Sequence, residues 1–167
     1  YVWGDVSRVS PEAPVQVLEW DRAANRAGGA ANVALNLAAL GYDVKLAGLV
    51  GRDVDGRWLR RELSRHGIDT TAIVVSEARP TTRKLRIIAR GQQLLRVDRE
   101  DRNPIGQQDE RLLLQRIRKA RRRTCGIICS DYAKGVLTES ILDLVLRNRP
   151  AKDHGLVLVD PKDRNFV

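Results

Sequence analysis

The sequence predicts an α/β protein with a doubly wound, mostly parallel sheet, helices on both faces, and a small antiparallel sheet set apart. Two observations predict the main sheet: short apolar runs alternate with segments of helical periodicity, and glycine or proline closes most of them. A third predicts the small sheet, because one segment alternates apolar with charged residues and another has the pattern of exposed extended chain. The 167 residues are enough for one ordinary domain with a hydrophobic core.

The first half of the chain contributes two helices and two buried strands to the predicted main sheet. Val33, Leu37 and Leu40 recur at helical spacing, and Gly41 follows as a C-terminal stop. The predicted elements are helix 29–40, strand 44–50, helix 54–66 and strand 72–75.

The small sheet is predicted from residues of about 8–20 and 82–98. In the second of these, Leu85 and Ile87 alternate with Lys84 and Arg86. This alternation is typical of a half-exposed antiparallel hairpin. The first segment is also predicted to be exposed and extended, broken by its prolines.

The second half of the chain resumes the α/β alternation and carries the densest basic run. The predicted elements are helix 107–123, strand 126–130, helix 138–148 and strand 156–160. The net charge of +9 and the pI of about 10.2 raise the possibility of an anionic partner. The basic run at 116–123 lacks interleaved aromatic residues that could stack on bases, so we interpret it as a solvated helix face and expect no nucleic-acid partner.

Composition and cysteine placement favour a cytoplasmic protein. No apolar run approaches the roughly 18 residues of a membrane span, and no signal peptide is visible. Cys125 and Cys129 lie on one predicted strand, about 13 Å apart at its usual rise, which is too far for a disulfide. The cysteines and histidines lack metal-ligand spacing, so we expect no zinc site. Because methionine is absent, we expect the chain to be a piece of a longer product.

The stretch RAGGAANVALNLAALG contains the first candidate site. Gly28 and Gly29 let a ligand approach the backbone, and amides at a helix N-terminus favour oxygen-rich groups. Asn32 can both donate to and accept from sugar hydroxyls. The alternative is a tight entry turn with Asn32 acting as a local cap.

Two further candidate sites follow predicted strands, where ligands bind in open α/β sheets. In SDYAKG, Asp131 and Lys134 could reach a polar ligand; the alternative is a helix cap and a surface lysine. In VDPK, Asp160 ends a strand and Lys162 could bind a phosphate.

The glycine-rich stretch, taken together with the residues up to Gly51, resembles a known family. Its spacing matches in full the first signature of ribokinase-like (PfkB-type) carbohydrate kinases, at Gly28, Gly29, Asn32, Ala34, Gly41 and Gly51. Several further stretches, including TTRKLRIIARGQQLLRVD, SDYAKGVL and VLVDPK, are similar to the heptose 7-phosphate kinase domains of bifunctional kinase/adenylyltransferases. The similarity runs through nearly the whole chain.

This resemblance implies an activity, a fold and partners. Such kinases transfer the γ-phosphoryl group of ATP, with Mg²⁺, to the anomeric hydroxyl of D-glycero-β-D-manno-heptose 7-phosphate, and the product feeds ADP-heptose synthesis for the lipopolysaccharide core. The implied fold is ribokinase-like, with a doubly wound sheet and a small β lid. The lid often joins two subunits in such kinases, so we expect a homodimer.

The resemblance also assigns roles near the sugar. Gly28, Gly29 and Asn32 would bind sugar hydroxyls. Asp131 and Lys134 would lie beside the sugar or the phosphate path.

Phosphate groups would be bound by other residues. The lid hairpin offers Lys84, Arg86 or Arg96 for the 7-phosphate of the sugar. Asp160 and Lys162 would lie near the phosphate being transferred.

Two family segments are missing from this sequence. Family members begin with a GD-x-x-x-D segment, and their second half carries a G-A-G-D turn that supplies the anion hole and the catalytic base; neither occurs here. We therefore expect the catalytic base to lie outside this chain and the 167 residues alone to have no useful kinase activity. The alternatives are a kinase for another sugar phosphate, or a non-catalytic relic that binds a sugar phosphate or dimerises.

Overall fold

A computed structural model of the protein describes residues 1–147 and 155–162. The strands are β1 Val2–Val9, β2 Gln16–Ala23, β3 Gly48–Gly51, β4 Ile73–Ser76, β5 Arg83–Ala89, β6 Gln92–Arg99, β7 Gly126–Ser130 and β8 Leu156–Asp160. The helices are α1 Ala30–Ala39, α2 Val54–Arg65, α3 Gln107–Ala120 and α4 Glu139–Arg147, with a 3-10 turn at Arg121–Arg123. Within the described ranges, no helix is both long enough and apolar enough to cross a bilayer.

The chain forms two compact units. The small-sheet unit consists of Tyr1–Arg26 and Thr82–Arg99, and the main unit of Ala27–Thr81 and the part from Glu100 onward. The chain therefore leaves the main unit after Thr81 and returns to it at Glu100.

The small-sheet unit is a four-stranded sheet in the order β2-β1-β5-β6. Both hairpins are antiparallel, but β1 and β5 run parallel, with Val2 opposite Ile87. The predicted small antiparallel sheet thus contains one parallel pair, β1 with β5. The predicted segment 8–20 is a hairpin of two strands, 2–9 and 16–23, because Pro11 and Pro14 fall in its turn, where no ladder hydrogen bond is needed.

The main unit contains two separate parallel strand pairs, β3 with β4 and β7 with β8. Neighbouring residues of β4 face opposite ways: Ile73 belongs to a core cluster with α1 and α2, and Val74 to one with α3 and α4. Leu63 of α2 and Leu113 of α3 are buried in these two clusters. Helices therefore cover both faces of this strand pair, as the sequence predicts.

Several predicted boundaries differ from the observed ones. The apolar run at 44–50 gives a strand only over β3; upstream of it, Lys45 makes an isolated bridge to Asp69. The predicted helix 29–40 begins one residue later, at Ala30, because Gly29 has a left-handed φ of 57°. Helix α3 ends at Ala120, before the predicted residue 123. The predicted end of the last helix, at residue 148, lies outside the described residues.

The basic run at the end of α3 takes part in the fold. The guanidinium of Arg116 donates to the carbonyl of Ile73, and that of Arg121 donates to the carbonyl of Leu144 at 2.7 Å. The first bond joins α3 to β4, and the second joins the 3-10 turn after α3 to α4. The interpretation of the run as a solvated face is therefore incomplete, because part of it satisfies backbone carbonyls.

A carboxylate at the start of α2 fixes the exit from the main unit. Asp53 caps the helix by accepting from the amide of Gly56 at 2.8 Å, and it also accepts from the amide of Thr81 at 2.9 Å and its hydroxyl at 2.7 Å. The Thr81 oxygen in turn accepts from the amide of Gly51 at 2.9 Å. The chain is therefore fixed at the last residue before the small sheet.

This corner is packed so closely that a side chain does not fit at Gly56. A Cβ there would lie 2.4 Å from the carbonyl oxygen of Gly51 and 2.8 Å from Thr81 Oγ1. We expect Gly56→Ala to lower the free energy of unfolding by about 1–3 kcal/mol, because backbone atoms must move. The measurement is urea unfolding at constant slope.

The matched control for this prediction is Gly48→Ala. A Cβ at Gly48 meets no atom of the described residues within 4 Å. We expect this control to change the unfolding free energy by less than about 1 kcal/mol. Equal effects of the two substitutions would contradict the close packing at Gly56.

Candidate functional site

The N-terminus of α1 is an open corner of the main unit. Gly29 precedes the helix and accepts from the amide of Asn32 at 3.0 Å, and no described side chain caps this end. Gly28 and Asn32 are exposed, whereas Ala31 and Ala34 are buried beneath them. The amide of Asn32 is thus used within the first turn, whereas the helix amides before it have no capping side chain among the described residues. This is the geometry that the glycine pair predicts.

The loop after β7 lies against this corner through Tyr132. A Cβ built on Gly29 would lie 3.4 Å from Cε2 of the Tyr132 ring, so the ring lies beside the glycine, at the distance where a side chain there would just touch it. The tyrosine is nevertheless 43% exposed. Two stretches about 100 residues apart, each predicted to bind ligand, are thereby neighbours in the fold. Sequence reasoning missed Tyr132, although it lies between Asp131 and Lys134 in the same motif.

The loop containing these residues has an unusual backbone. Ala133 and Gly135 both have left-handed φ values, 52° and 68°. Such a conformation costs a residue other than glycine about 1–3 kcal/mol, and it persists only where its surroundings hold it. Asp131 contributes to this, because its Oδ1 accepts from the amide of Ala133 at 2.8 Å. Asp131 therefore makes a local turn bond and not the helix cap of the alternative interpretation, and its ligand role stays a prediction.

Lys134 is not the surface lysine of the alternative interpretation. Its Nζ lies 2.6 Å from Oε2 of Glu100, and the two side chains are only 17% and 7% exposed. Arg102 contacts the other carboxylate oxygen of Glu100, with its Nε 2.7 Å from Oε1. The ammonium group is thus held by the segment that returns from the small sheet. Its role toward substrate stays a prediction.

The third candidate site lies at the ends of β7 and β8. Asp160 and Lys162 are exposed there, as a ligand role requires. The carbonyl of Asp160 accepts from the amide of Asp131 at 2.9 Å, which places the second and third candidate segments side by side. Ser130, opposite Asp160 in the ladder, has a buried hydroxyl oxygen with no hydrogen-bond partner among the described residues.

Within the small-sheet unit, the predicted phosphate ligands share one face of a hairpin. Lys84 is opposite Asp98, and Arg86 is opposite Arg96. Lys84 Nζ lies 2.7 Å and Arg96 Nε 2.9 Å from the two oxygens of Asp98, while the Arg86 guanidinium lies over the Tyr1 ring at 5.3 Å. Two cations thus contact one carboxylate and a third lies on the same face, which gives a net positive face suited to an anion.

The charge on Asp98 is stabilised by its neighbours. The hydrogen bond from Lys84, and secondarily the contact with Arg96, hold the pKa of this carboxyl below its usual range, and partial burial opposes them. Across the described residues, no group of three or more histidine, cysteine or acidic side chains could form a metal centre by itself.

An open helix N-terminus, bordered by a strand-end loop in an α/β layer, is an arrangement that binds polar small molecules. The family described as pfkB family carbohydrate kinase matches residues 2–164, and the chain therefore belongs to this family. The resemblance predicted from the glycine signature is confirmed.

Particular relatives narrow this assignment. The bifunctional protein HldE of Geobacter sulfurreducens is 44% identical over 167 residues, covering 100% of this chain and 34% of that protein. The chain spans about a third of the length of the curated relatives it matches.

Solved structures share the fold. A PfkB protein from Polaromonas sp. JS666 superposes with a TM-score of 0.55 at 20% identity, covering 96% of this chain and 52% of that one. An uncharacterized sugar kinase from Pyrococcus horikoshii in complex with ATP has a TM-score of 0.50 at 21% identity, covering 76% and 39%. The predicted ribokinase-like fold class is confirmed. The predicted homodimer stays a prediction.

The depressed pKa of Asp98 predicts how acid affects stability. A carboxyl with a lowered folded-state pKa stabilises the fold above its unfolded pKa, and this contribution is lost as the pH falls through the folded-state value. We expect Asp98→Asn to be less stable than the wild type at pH 7 and the two to converge below about pH 4. Urea unfolding at several pH values measures this.

Asp21→Asn, an exposed acid-to-amide change in β2 of the same sheet, serves as the control. A gap for Asp98→Asn that stays constant from pH 7 down to pH 3 would contradict the predicted linkage.

Proposed function

We propose that the protein carrying this chain is an ATP-dependent kinase that phosphorylates the anomeric hydroxyl of D-glycero-β-D-manno-heptose 7-phosphate. The observation that carries the proposal is the contact of Tyr132 with Gly29, which brings both sugar-side motifs to one exposed corner. Family membership and the 44% identity to an HldE protein support it. We place the reaction in the cytoplasm, where ADP-heptose for the lipopolysaccharide core would be assembled.

The sugar would bind at the open start of α1. Its hydroxyls can accept from the uncapped amides after Gly29 and exchange hydrogen bonds with the amide side chain of Asn32. The exposed ring of Tyr132 offers an apolar surface to the C–H face of the sugar. Together these groups provide both the polar and the apolar contacts that a pyranose needs.

The basic face of the β5–β6 hairpin is the part of the chain that we propose for the 7-phosphate. Lys84, Arg86 and Arg96 lie on one hairpin face with a single carboxylate among them, so a dianion adds favourable charge interactions. A sugar lacking the phosphate would lose these interactions. The positive charge of this face favours binding of a phosphorylated substrate over binding of a neutral sugar.

ATP and Mg²⁺ would bind at the carboxyl ends of strands β7 and β8. Asp160 is exposed there, and carboxylate oxygens are ligands that Mg²⁺ prefers. Lys162 would face the phosphates of ATP. The bound ion would neutralise charge on the transferring phosphoryl group, while this chain's residues position the sugar.

Asn32→Ala in the whole protein tests the sugar site. Because its amide would bind sugar hydroxyls, we expect the KM for heptose 7-phosphate to rise about tenfold, with the KM for ATP unchanged. Asn36→Ala is the matched control, since Asn36 is exposed one turn further along the same helix. Steady-state kinetics with varied sugar measure the effect, and equal KM values for the two variants would contradict the assignment.

The same assay distinguishes the alternative substrates. Turnover of hexose phosphates as efficient as that of heptose 7-phosphate would favour a kinase for another sugar phosphate. Binding of sugar phosphate without any turnover by the whole protein would favour the non-catalytic relic.

The 167-residue chain by itself is expected to lack kinase activity. It contains no G-A-G-D turn to supply a base and an anion hole, and each such element contributes a factor of about 10² to 10⁴. The measurement is ADP release with heptose 7-phosphate and ATP, with the whole protein as positive control. Turnover by the isolated chain within about a hundredfold of the whole protein would refute this prediction.

A further inference from the structure

Arg79 makes a set of contacts that the proposed mechanism does not use. It lies on the segment that leaves the main unit, and its side chain is only 7% exposed. Its guanidinium donates to the carbonyls of Asp101 at 2.6 Å, Lys134 at 3.1 Å and Asn103 at 3.3 Å. One side chain therefore binds the outgoing segment to the returning segment and to the loop after β7.

The returning segment 100–105 and the loop 131–135, which both bind Arg79, are themselves in close contact. The carbonyl of Gly135 accepts from the amide of Ile105 at 2.9 Å, and a Cβ on Gly135 would lie only 1.9 Å from the carbonyl oxygen of Asn103. The Lys134–Glu100 ion pair joins them a second time. The loop 131–135 thus rests on the segment 100–105 without room for a side chain between them.

The loop needs this support because its own backbone is strained. The left-handed Ala133 would relax if the loop were released, and Tyr132 precedes it directly. The planar guanidinium can hold several carbonyls in a fixed arrangement, which an ammonium group cannot do. Removing it would also leave carbonyls at this site without their donor.

We propose that Arg79 is a positioning residue for sugar binding: it holds the loop 131–135 where Tyr132 covers Gly29, and it ties that loop to both connections between the main unit and the small sheet. This inference rests on the proposed function, because it takes the corner at Gly29 to be the sugar site. Arg79 acts through the loop and touches neither the sugar nor ATP. The KM for sugar phosphate therefore depends on it more strongly than the KM for ATP.

The kinetic test uses the whole protein with Arg79→Ala and Arg79→Lys, and with Arg60→Ala as a matched control on the exposed side of α2. For Arg79→Ala we expect the KM for heptose 7-phosphate to rise on the order of 10- to 100-fold, because a small displacement of binding groups has effects of this size. Added guanidinium should recover part of the loss in Arg79→Ala and have no effect on Arg60→Ala. A general loss of structure would instead raise the KM for ATP as much as the KM for the sugar phosphate.

A second measurement does not depend on catalysis. Hydrogen exchange at the amide of Ile105 reports whether Gly135 stays bound to it, and we expect exchange at least about tenfold faster in Arg79→Ala. If that variant fails to fold, Arg79→Lys provides the same comparison, since it keeps the charge but not the fork. Wild-type KM together with wild-type exchange, in whichever variant folds, would overturn the proposal.

The two proposals fail in distinguishable ways. If the whole protein phosphorylates no sugar phosphate, the proposed function is wrong, and hydrogen exchange still decides whether Arg79 holds the loop. If the wild type is active and Arg79→Ala behaves like Arg60→Ala in both assays, only the inference about Arg79 is wrong.

Discussion

The carboxylate of Asp53 is the group on which the order of the main unit depends most directly. It caps α2 through Gly56 and at the same time binds both the amide and the hydroxyl of Thr81. Because Thr81 also accepts from Gly51, strand β3, helix α2 and the outgoing segment share one hydrogen-bonded centre. Buried polar groups must all find partners, so none of these pieces can shift without leaving another unsatisfied.

Positive charge in this chain has two distinct uses. Some arginines act inside the fold: Arg79, Arg116 and Arg121 each donate to backbone carbonyls where segments meet. Others form the basic face around Asp98 in the small sheet. A net charge of +9 therefore does not by itself indicate an anionic partner, because some of the arginines donate to backbone carbonyls that no secondary structure satisfies.

The features that could be predicted from the sequence are those encoded in a local pattern of residues. Strands β7 and β8 match their predicted bounds, because each is an apolar run closed by polar residues or proline. The parallel pairing of β1 with β5 could not be predicted, since it joins segments about 80 residues apart and neither carries a signal of the other. The contact of Tyr132 with Gly29 is non-local in the same way.

Side-chain roles were harder to predict than strands and helices. The glycine signature located the start of α1 to within one residue, because the left-handed φ of Gly29 is a backbone conformation that favours glycine. Arg79 could not be singled out, since an arginine that binds carbonyls and one in solvent look alike in a sequence. Asp53 could have been recognised, because an aspartate just before a helical pattern is a common N-cap.

The route of the chain through Thr81 and Glu100 has a consequence for how such proteins diversify. Hairpin β5–β6 is an excursion from the main unit, and both of its connections are held by hydrogen bonds. Asp53 binds the outgoing connection, and Arg79 links the outgoing connection to the returning one. An excursion anchored in this way can change in length or composition while the main unit keeps its order. Replacement of this one ribbon, together with the β1 edge that it pairs with, therefore leaves the hydrogen-bonded scaffold of the main unit unchanged.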